Sequence, residues 1–324
     1  FLNWRVYCDV LLYLPYEKMI NTIPKSVAMV RPKSFAFNPQ TAENNAFQHE
    51  LAHFTPAQIQ DIAALEFDNM VAMLKAKGIK VMVFQEQDSN TPDSIFPNNW
   101  FSTFTHEVVL YPMYTPNRRL ERKSAVYKKI ANDLRKPLNT QLLKEEKKGE
   151  ILEGTGSLVC DYASKTAFAA ISPRTTHEAL DRFEQVSGYS TVRFDAMGPD
   201  GNLIYHTNVM MTMGNTFVII GLDTIAEEHK TSVAGQLTSL GKDIIALTNE
   251  QVYAHFAGNM LQLQNAKGKQ FLVMSSEAFS CLTSEQKDLI QNKHQNEIIA
   301  VPIHLIEKIG GGSARCMMAE LFHV

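Results

Sequence analysis

The stretch VMMTMGNTFVIIGLDTIAEEHKTSVAGQLTSLGKDIIAL, residues 209–247, decides the fold. Its apolar runs 209–213 and 217–220 read as two short strands. Residues 225–240 read as a helix and 243–247 as a third strand. The unit is strand, strand, helix, strand. It recurs before this stretch, with strands at 158–161 and 167–171, a helix over 175–186 and a strand at 191–194. It recurs after it at 260–263, 270–274, 284–292 and 297–301. Nearer the start, 26–31 and 80–84 are strand-like, and 100–103 with 108–111 form a hairpin-like pair. Between them, 56–77 places Ile59, Ala63, Phe67, Met70 and Leu74 on one helical face, and 118–134 reads as a polar helix. A period of about 50–60 residues predicts a repeat architecture of ββαβ-type units in one closed α/β domain. Residues 26–324 are expected to form that domain, with 1–25 an N-terminal extension. The charged run 145–149 reads as a solvated turn, so no linker divides the chain.

The whole chain has 324 residues, 45% hydrophobic and 20% charged, with 31 Lys+Arg against 34 Asp+Glu. This composition excludes collagen-like, coiled-coil and disordered classes. A net charge of −3 argues against nucleic-acid and anionic-membrane partners. No apolar run reaches the roughly 18 residues of a membrane span, and residues 1–18 lack the organisation of a signal peptide. Cys8, Cys160, Cys281 and Cys316 are too scattered for a disulfide scaffold or a zinc site. The expected setting is a reducing cytoplasm, with at most one thiol that does chemistry. Gly310-Gly311-Gly312 lacks the endings of nucleotide-binding loops.

Five segments are polar and rich in Gly or Asn where a strand should be turning: 31–45, 92–100, 152–157, 205–208 and 310–316. Alone, each has a structural reading. Cys316 is a small buried hydrophobe, His206 a hydrogen-bonded core histidine, Glu153 a turn residue, and Asn98-Asn99 a turn. Jointly they read differently. A cysteine nucleophile needs a base or an electropositive site, supplied from far away in sequence. His206 suits the first role, Glu153 can orient a reacting group, and glycines allow backbone to approach a small ligand.

These segments resemble the pentein, or guanidino-group-modifying, superfamily of arginine deiminases, agmatine deiminases, dimethylarginine dimethylaminohydrolases and amidinotransferases. Glu153-Gly154-Thr155-Gly156 is similar to the family's Glu-Gly-Gly-Asp motif, and His206-Thr207-Asn208 to its His-x-Asp. The run 310–316 resembles the Gly-rich approach to the nucleophile. Residues 92–99 resemble the dimethylargininase stretch Pro-Asp-x-x-Phe-x-Glu-Asp. Residues 116–121 and 171–175 resemble two arginine-bearing segments. The chain looks most like bacterial arginine-deiminase-related hydrolases of citrulline utilisation.

The resemblance implies a five-bladed, pseudo-symmetric α/β propeller. It implies Cys316 as nucleophile, His206 as general acid/base and Glu153 as their acidic partner. Asp93 would meet the substrate ammonium, and Arg174 with Arg118 or Arg119 its carboxylate. No metal or organic cofactor is implied; the expected partner is a free amino acid, citrulline or arginine-like, and a homodimer is left open. The sequence departs from the family where carboxylates bind a guanidinium. Asn98 and Asn99 replace Glu-Asp, Asn208 replaces an Asp, and Gly156 or Ser157 stands where the motif ends in Asp. A carboxylate only accepts hydrogen bonds, whereas a carboxamide both donates and accepts, which suits a neutral ureido group. Citrulline is therefore the expected substrate, cleaved through a thioester on Cys316. Alternatives are a guanidine hydrolase in which Asp88 or Asp161 binds the cation, an amidinotransferase, a non-catalytic amino-acid-binding protein, and an unrelated thiol hydrolase.

Overall fold

Short runs of two to six residues, most of them apolar, pair into five three-stranded sheets of one topology. The computed structural model describes residues 22–199 and 201–323. The expectations for residues 1–18, and most of the proposed extension 1–25, lie outside these. The strands are β1 (Ser26–Arg31), β2 (Lys80–Gln85), β3 (Phe101–Thr103), β4 (Val108–Leu110) and β5 (Leu138–Asn139). They continue as β6 (Val159–Asp161), β7 (Thr166–Ala170), β8 (Ser190–Phe194), β9 (Met211–Met213) and β10 (Phe217–Ile220). The last are β11 (Asp243–Ala246), β12 (Leu261–Gln264), β13 (Gln270–Ser275), β14 (Asn296–Val301) and β15 (Ala319–Glu320).

In the sheets β3-β4-β5, β6-β7-β8, β9-β10-β11 and β12-β13-β14, the first strand runs antiparallel to the middle one. The last runs parallel to it. A parallel return needs a crossover, which is why a helix separates middle from last strand. These helices are Ser124–Leu134, His177–Ser187, Glu227–Ser239 and Ser284–Asp288. The remaining sheet closes differently: β1 and β2 are parallel across the helix Pro56–Ala76, and β15, from the end of the chain, supplies the antiparallel first strand. Among the described residues no helix is long and apolar enough to cross a membrane.

The longest helix shows why the sequence pattern worked. Ile59, Ala63, Phe67, Met70 and Leu74 are buried on one face, and Thr55 with Gln58 closes a capping box at its start. The polar helix expected over 118–134 is instead two pieces, Pro116–Arg119 and Ser124–Leu134, with Lys123 extended between them (φ −73°, ψ 124°). The break turns Arg118 and Glu121 inward as a bidentate pair while Arg122 pairs with Glu146. A run of charges that looks solvated is thus half core. The charged turn at 145–149 likewise belongs to a one-sided 3-10 segment, Gln141–Lys148, with Leu142 buried and Gly149 in the left-handed region closing it.

Candidate active site

Each sheet's first strand is preceded by a tight polar turn. These are Pro97–Asn99 before β3, Gly154–Ser157 before β6 and Thr207–Val209 before β9. Gly258-Asn259 stands before β12 and residues 313–318 before β15. The first strands touch one another, β15 with β3, β6 with β9 and β9 with β12, and the turn Gly154–Ser157 packs on both Pro97–Asn99 and Thr207–Val209. Equivalent positions of the repeats therefore converge, bringing together Asn98, Asn99, Glu153, His206, Asn208, Asn259 and Cys316 from across the chain.

Close packing of these turns demands glycine. Gly154 has φ +46°, and a Cβ there would lie 2.3 Å from the carbonyl oxygen of Asn98. Gly154→Ala is expected to cost about 2 kcal/mol or more, read as a lower midpoint of denaturant unfolding. An unchanged midpoint would mean that the two turns can separate without loss.

One pocket is lined by Asp93, Asn99, Arg118, Arg174, His206 and Cys316, with Tyr205 and Gly310 to Gly312. Asn98, Glu153 and Asn208 are buried just outside its wall. Arg119 is the exception among the singled-out residues. Its guanidinium turns away, donating to the carbonyls of Met113 and Tyr114 at 3.0 and 3.2 Å. Of the adjacent arginines, Arg118 is the one in the pocket. Asp88 and Asp161 are elsewhere, held by Lys123 and Lys242. A second pocket adjoins Cys160, but its charged groups are consumed by one another: Asp161 by Lys242, Arg315 by Glu320.

Electrostatics separate the roles. Glu153 is fully buried, which alone would raise its pKa. Arg174 at 3.6 Å, the hydrogen bond to His206 at 2.8 Å and Arg118 at 3.8 Å outweigh burial and hold it at about 2. Burial pulls His206 down to about 4 despite that carboxylate, so the imidazole is neutral at pH 7. An ionised carboxylate can only accept, so the proton of neutral His206 sits on Nε2 and leaves Nδ1 as an acceptor. Asp93, raised by burial, accepts from Asn38 (2.7 Å) and Thr41 (3.2 Å) through Oδ2, while its buried Oδ1 has no partner. Glu121, unforeseen in the sequence, is pushed up to about 7 by burial against the pull of Arg118.

Carboxamides cluster at this pocket. Asn99 Oδ1 accepts from Arg118 at 2.8 Å, which fixes the amide orientation and leaves its buried Nδ2 unpartnered. Both amide atoms of Asn98, and Oδ1 of Asn208, are also buried without partners. Among the described cysteines, all free thiols, burial pushes Cys160 above the ordinary range and Cys281 to about 11. Cys316 is the thiol in the pocket. Asn259 belongs to none of the motifs read from the sequence; its position before a first strand, as with Asn208, is the signal that could have found it.

The chain is a pentein of the kind that hydrolyses non-peptide carbon–nitrogen bonds. It belongs to the N,N-dimethylarginine dimethylhydrolase family, eukaryotic type, whose family model matches residues 31–323. Among solved structures it is similar to the N-terminal domain of ArgZ, an arginine dihydrolase from the ornithine–ammonia cycle in cyanobacteria, solved with its substrate. Identity is 13%, TM-score 0.70, covering 92% of this chain and 98% of that one. It is similar to AgrE with L-arginine at 13% identity and TM-score 0.71, covering 92% of this chain and 40% of that longer one. A dimethylarginine hydrolase (DDAH) from Pseudomonas aeruginosa, complexed with citrulline, matches at 12% identity and TM-score 0.62, covering 92% and 99%. No curated protein sequence matches the chain.

Proposed function

We propose that this protein hydrolyses the ureido group of free citrulline through a covalent adduct on Cys316. The observation that carries the reading is Asn99 Nδ2, a buried donor in the pocket wall, oriented by Arg118 and lacking an acceptor. A ureido oxygen supplies that acceptor; a guanidinium, which only donates, leaves the amide unsatisfied. The five sheets are read as blades of a pseudo-fivefold propeller with their first strands around the axis, formed by residues 26–324 as one catalytic domain. A free amino-acid substrate and free thiols suit a cytoplasmic setting.

In this reading Asp93 Oδ1 receives the substrate ammonium and Arg174 the carboxylate. Arg118 is less available, because its fork is paired with the Glu121 carboxylate, whereas Arg174 donates only to the neutral oxygens of Asn44 and Thr41. His206 Nδ1 takes the thiol proton of Cys316 as the sulfur attacks the ureido carbon, and the carbonyl electrons move to oxygen. As they return, the bond to one nitrogen breaks and His206 delivers the proton that the departing amine needs. Water, deprotonated by His206 Nδ1, then attacks the S-carbamoyl carbon and releases the thiolate. Ammonia and ornithine are the nitrogen products, with carbamate decaying to carbon dioxide.

A second reading keeps the same machinery for a guanidine. The family match and the unpartnered acceptors Asn98 Oδ1, Asn208 Oδ1 and Asp93 Oδ1 favour it. Separate incubations with citrulline, arginine and dimethylarginine, assayed for ammonia, ornithine, citrulline and dimethylamine, decide between them. Ornithine and ammonia from citrulline are expected. Citrulline formed from either guanidine, with citrulline itself inert, overturns the ureido reading, and amidino transfer to added glycine would make the enzyme a transferase.

The two arginines give a paired test. Arg174→Ala is expected to raise KM for citrulline by about 100-fold through loss of a charge-assisted carboxylate contact. Arg119→Ala should leave KM within about twofold, as for a rim charge. Equal effects from both would displace Arg174 from the carboxylate.

A further inference from the structure

Tyr205, buried in the pocket wall next to His206, touches both ends of the site. Its ring lies 4.9 Å from the guanidinium carbon of Arg174, and Phe47 packs edge-on against it at 6.0 Å. The edges of that guanidinium are engaged separately. Nε donates to Asn44 Oδ1 at 2.8 Å, Nη2 to the Thr41 carbonyl at 3.0 Å, and Nη1 faces Glu153 at 3.6 Å. The aromatic face therefore sets the tilt of the plane and not the pairing of its edges. Ser172 Oγ accepts from the Arg174 N–H at 3.1 Å and donates to the Tyr205 carbonyl at 2.8 Å, which joins the two residues through the backbone as well. At its far end the phenol donates to the carbonyl of Gly311. Burial pushes the phenol up, so the hydroxyl keeps its proton and remains a donor. Asn45 Nδ2 donates to the same carbonyl at 3.2 Å. The next residue, Gly312, lies against the nucleophile, since a Cβ there would stand 3.4 Å from the Cys316 Cβ.

We infer that Tyr205 is a positioning residue for the reaction, holding Arg174 against the substrate carboxylate and the Gly311 turn beside Cys316 at one fixed separation. The inference rests on the proposed roles of Arg174 and Cys316, and it holds for a ureido or a guanidino group alike. A free amino acid is gripped at one end and cut at the other, with flexible methylenes between. Its reacting carbon meets the sulfur only if the two ends of the site keep their spacing, and a misplacement of about 1 Å can cost about 100-fold in rate. Arg174 follows β7 and Gly311 precedes β15, so the two ends belong to different sheets. Consecutive glycines have no side chains with which to anchor their own turn. A rigid ring with only two rotatable bonds spans the gap at low entropic cost.

Steady-state kinetics of two variants separate the two ends. Tyr205→Phe keeps the ring against Arg174 and drops the tether to Gly311, so kcat should fall about tenfold with KM within about twofold. Tyr205→Leu also removes the aromatic face, so KM should rise about tenfold in addition. Circular dichroism checks folding, and the near-isosteric Tyr205→Phe decides the matter by itself if the Leu variant fails to fold. A folded Tyr205→Phe with the parental kcat, or a KM that rises equally in both variants, overturns the inference and leaves Tyr205 a core aromatic. The assays use whichever of citrulline, arginine and dimethylarginine the parent protein turns over. Turnover of a guanidine with citrulline inert would sink the ureido reading and leave this test intact; citrulline turnover with kcat unaltered in Tyr205→Phe would sink the positioning role alone.

Discussion

Replacing Cys316 with alanine is expected to lower kcat by at least about 10⁴-fold while the protein stays folded. The argument is geometric. Among the described residues Cys316 supplies the only thiol in the pocket wall, and His206, its neighbour there, is neutral and tied to Glu153 through Nε2. Without sulfur, the histidine can at best activate water against an unactivated ureide. The fold should tolerate the change. The Cys316 side chain is one small group in an apolar cluster that includes Phe35, Phe96 and Met317, and losing it costs about 1 kcal/mol. Steady-state assay, circular dichroism and mass analysis of acid-quenched enzyme check the result. The adduct should appear on the peptide bearing Cys316 in the parent protein and vanish in the variant. Near-full turnover by Cys316→Ala would remove the residue from the mechanism.

Glu153→Gln carries the second large effect, a loss in kcat of about 10³-fold or more, by analogy with neutralising the carboxylate that orients a catalytic histidine. A glutamine can donate or accept, so it no longer dictates which imidazole nitrogen holds the proton. It also leaves Arg118 and Arg174 without the buried charge they face. The pH profile sharpens the test. Neutral His206 is required as base, and its value of about 4 places the acid limb of kcat/KM well below the ordinary imidazole range. Removing the carboxylate, which raises His206, should move that limb lower still. An acid limb near 6.5 in the parent protein would contradict the buried, neutral imidazole.

Stability follows the same groups. Glu153 is depressed from 4.5 to about 2, so its contribution is complete above pH 4.5 and lost as pH falls toward 2. His206, depressed from 6.5 to about 4, costs stability as pH falls across that window, because the unfolded chain binds the proton first. Glu121, raised from 4.5 to about 7, acts in the opposite sense, favouring the folded state as pH falls from 7 to 4.5. His206 and Glu121 largely cancel, but Glu307, also pushed up to about 7 by burial, adds to the second, so unfolding free energy should rise as pH falls from 7 to 4.5 and then drop. Glu153→Gln should start lower and lack that drop. Denaturant unfolding across that range measures both.

The architecture was legible because short buried strands and one-sided helices leave periodic marks. Residues 209–247 show the unit openly, and the strands found lie within a residue or two of those expected there. What stayed hidden had no periodic signature. β15 and β5 are two residues each, and the helix His304–Gly310 ends in glycines that read as loop. The break at Lys123 escaped because a charge run looks alike whether it faces water or a buried partner.

By itself, the sequence determined the repeat, the residue types able to do thiol chemistry, and the carboxamides Asn98, Asn99 and Asn208 at positions where the motifs they resemble carry carboxylates. Only the tertiary structure decided which of these meet and how they are oriented. It put Arg118 in the pocket and Arg119 outside, added Glu121, and fixed the amide of Asn99 through a partner that can only donate. It also set the Tyr205 hydroxyl on the Gly311 carbonyl, 106 residues away in sequence. The physical reason is that a hydrogen bond's direction and a buried group's charge depend on neighbours within a few ångströms. In this chain those neighbours come from different repeats.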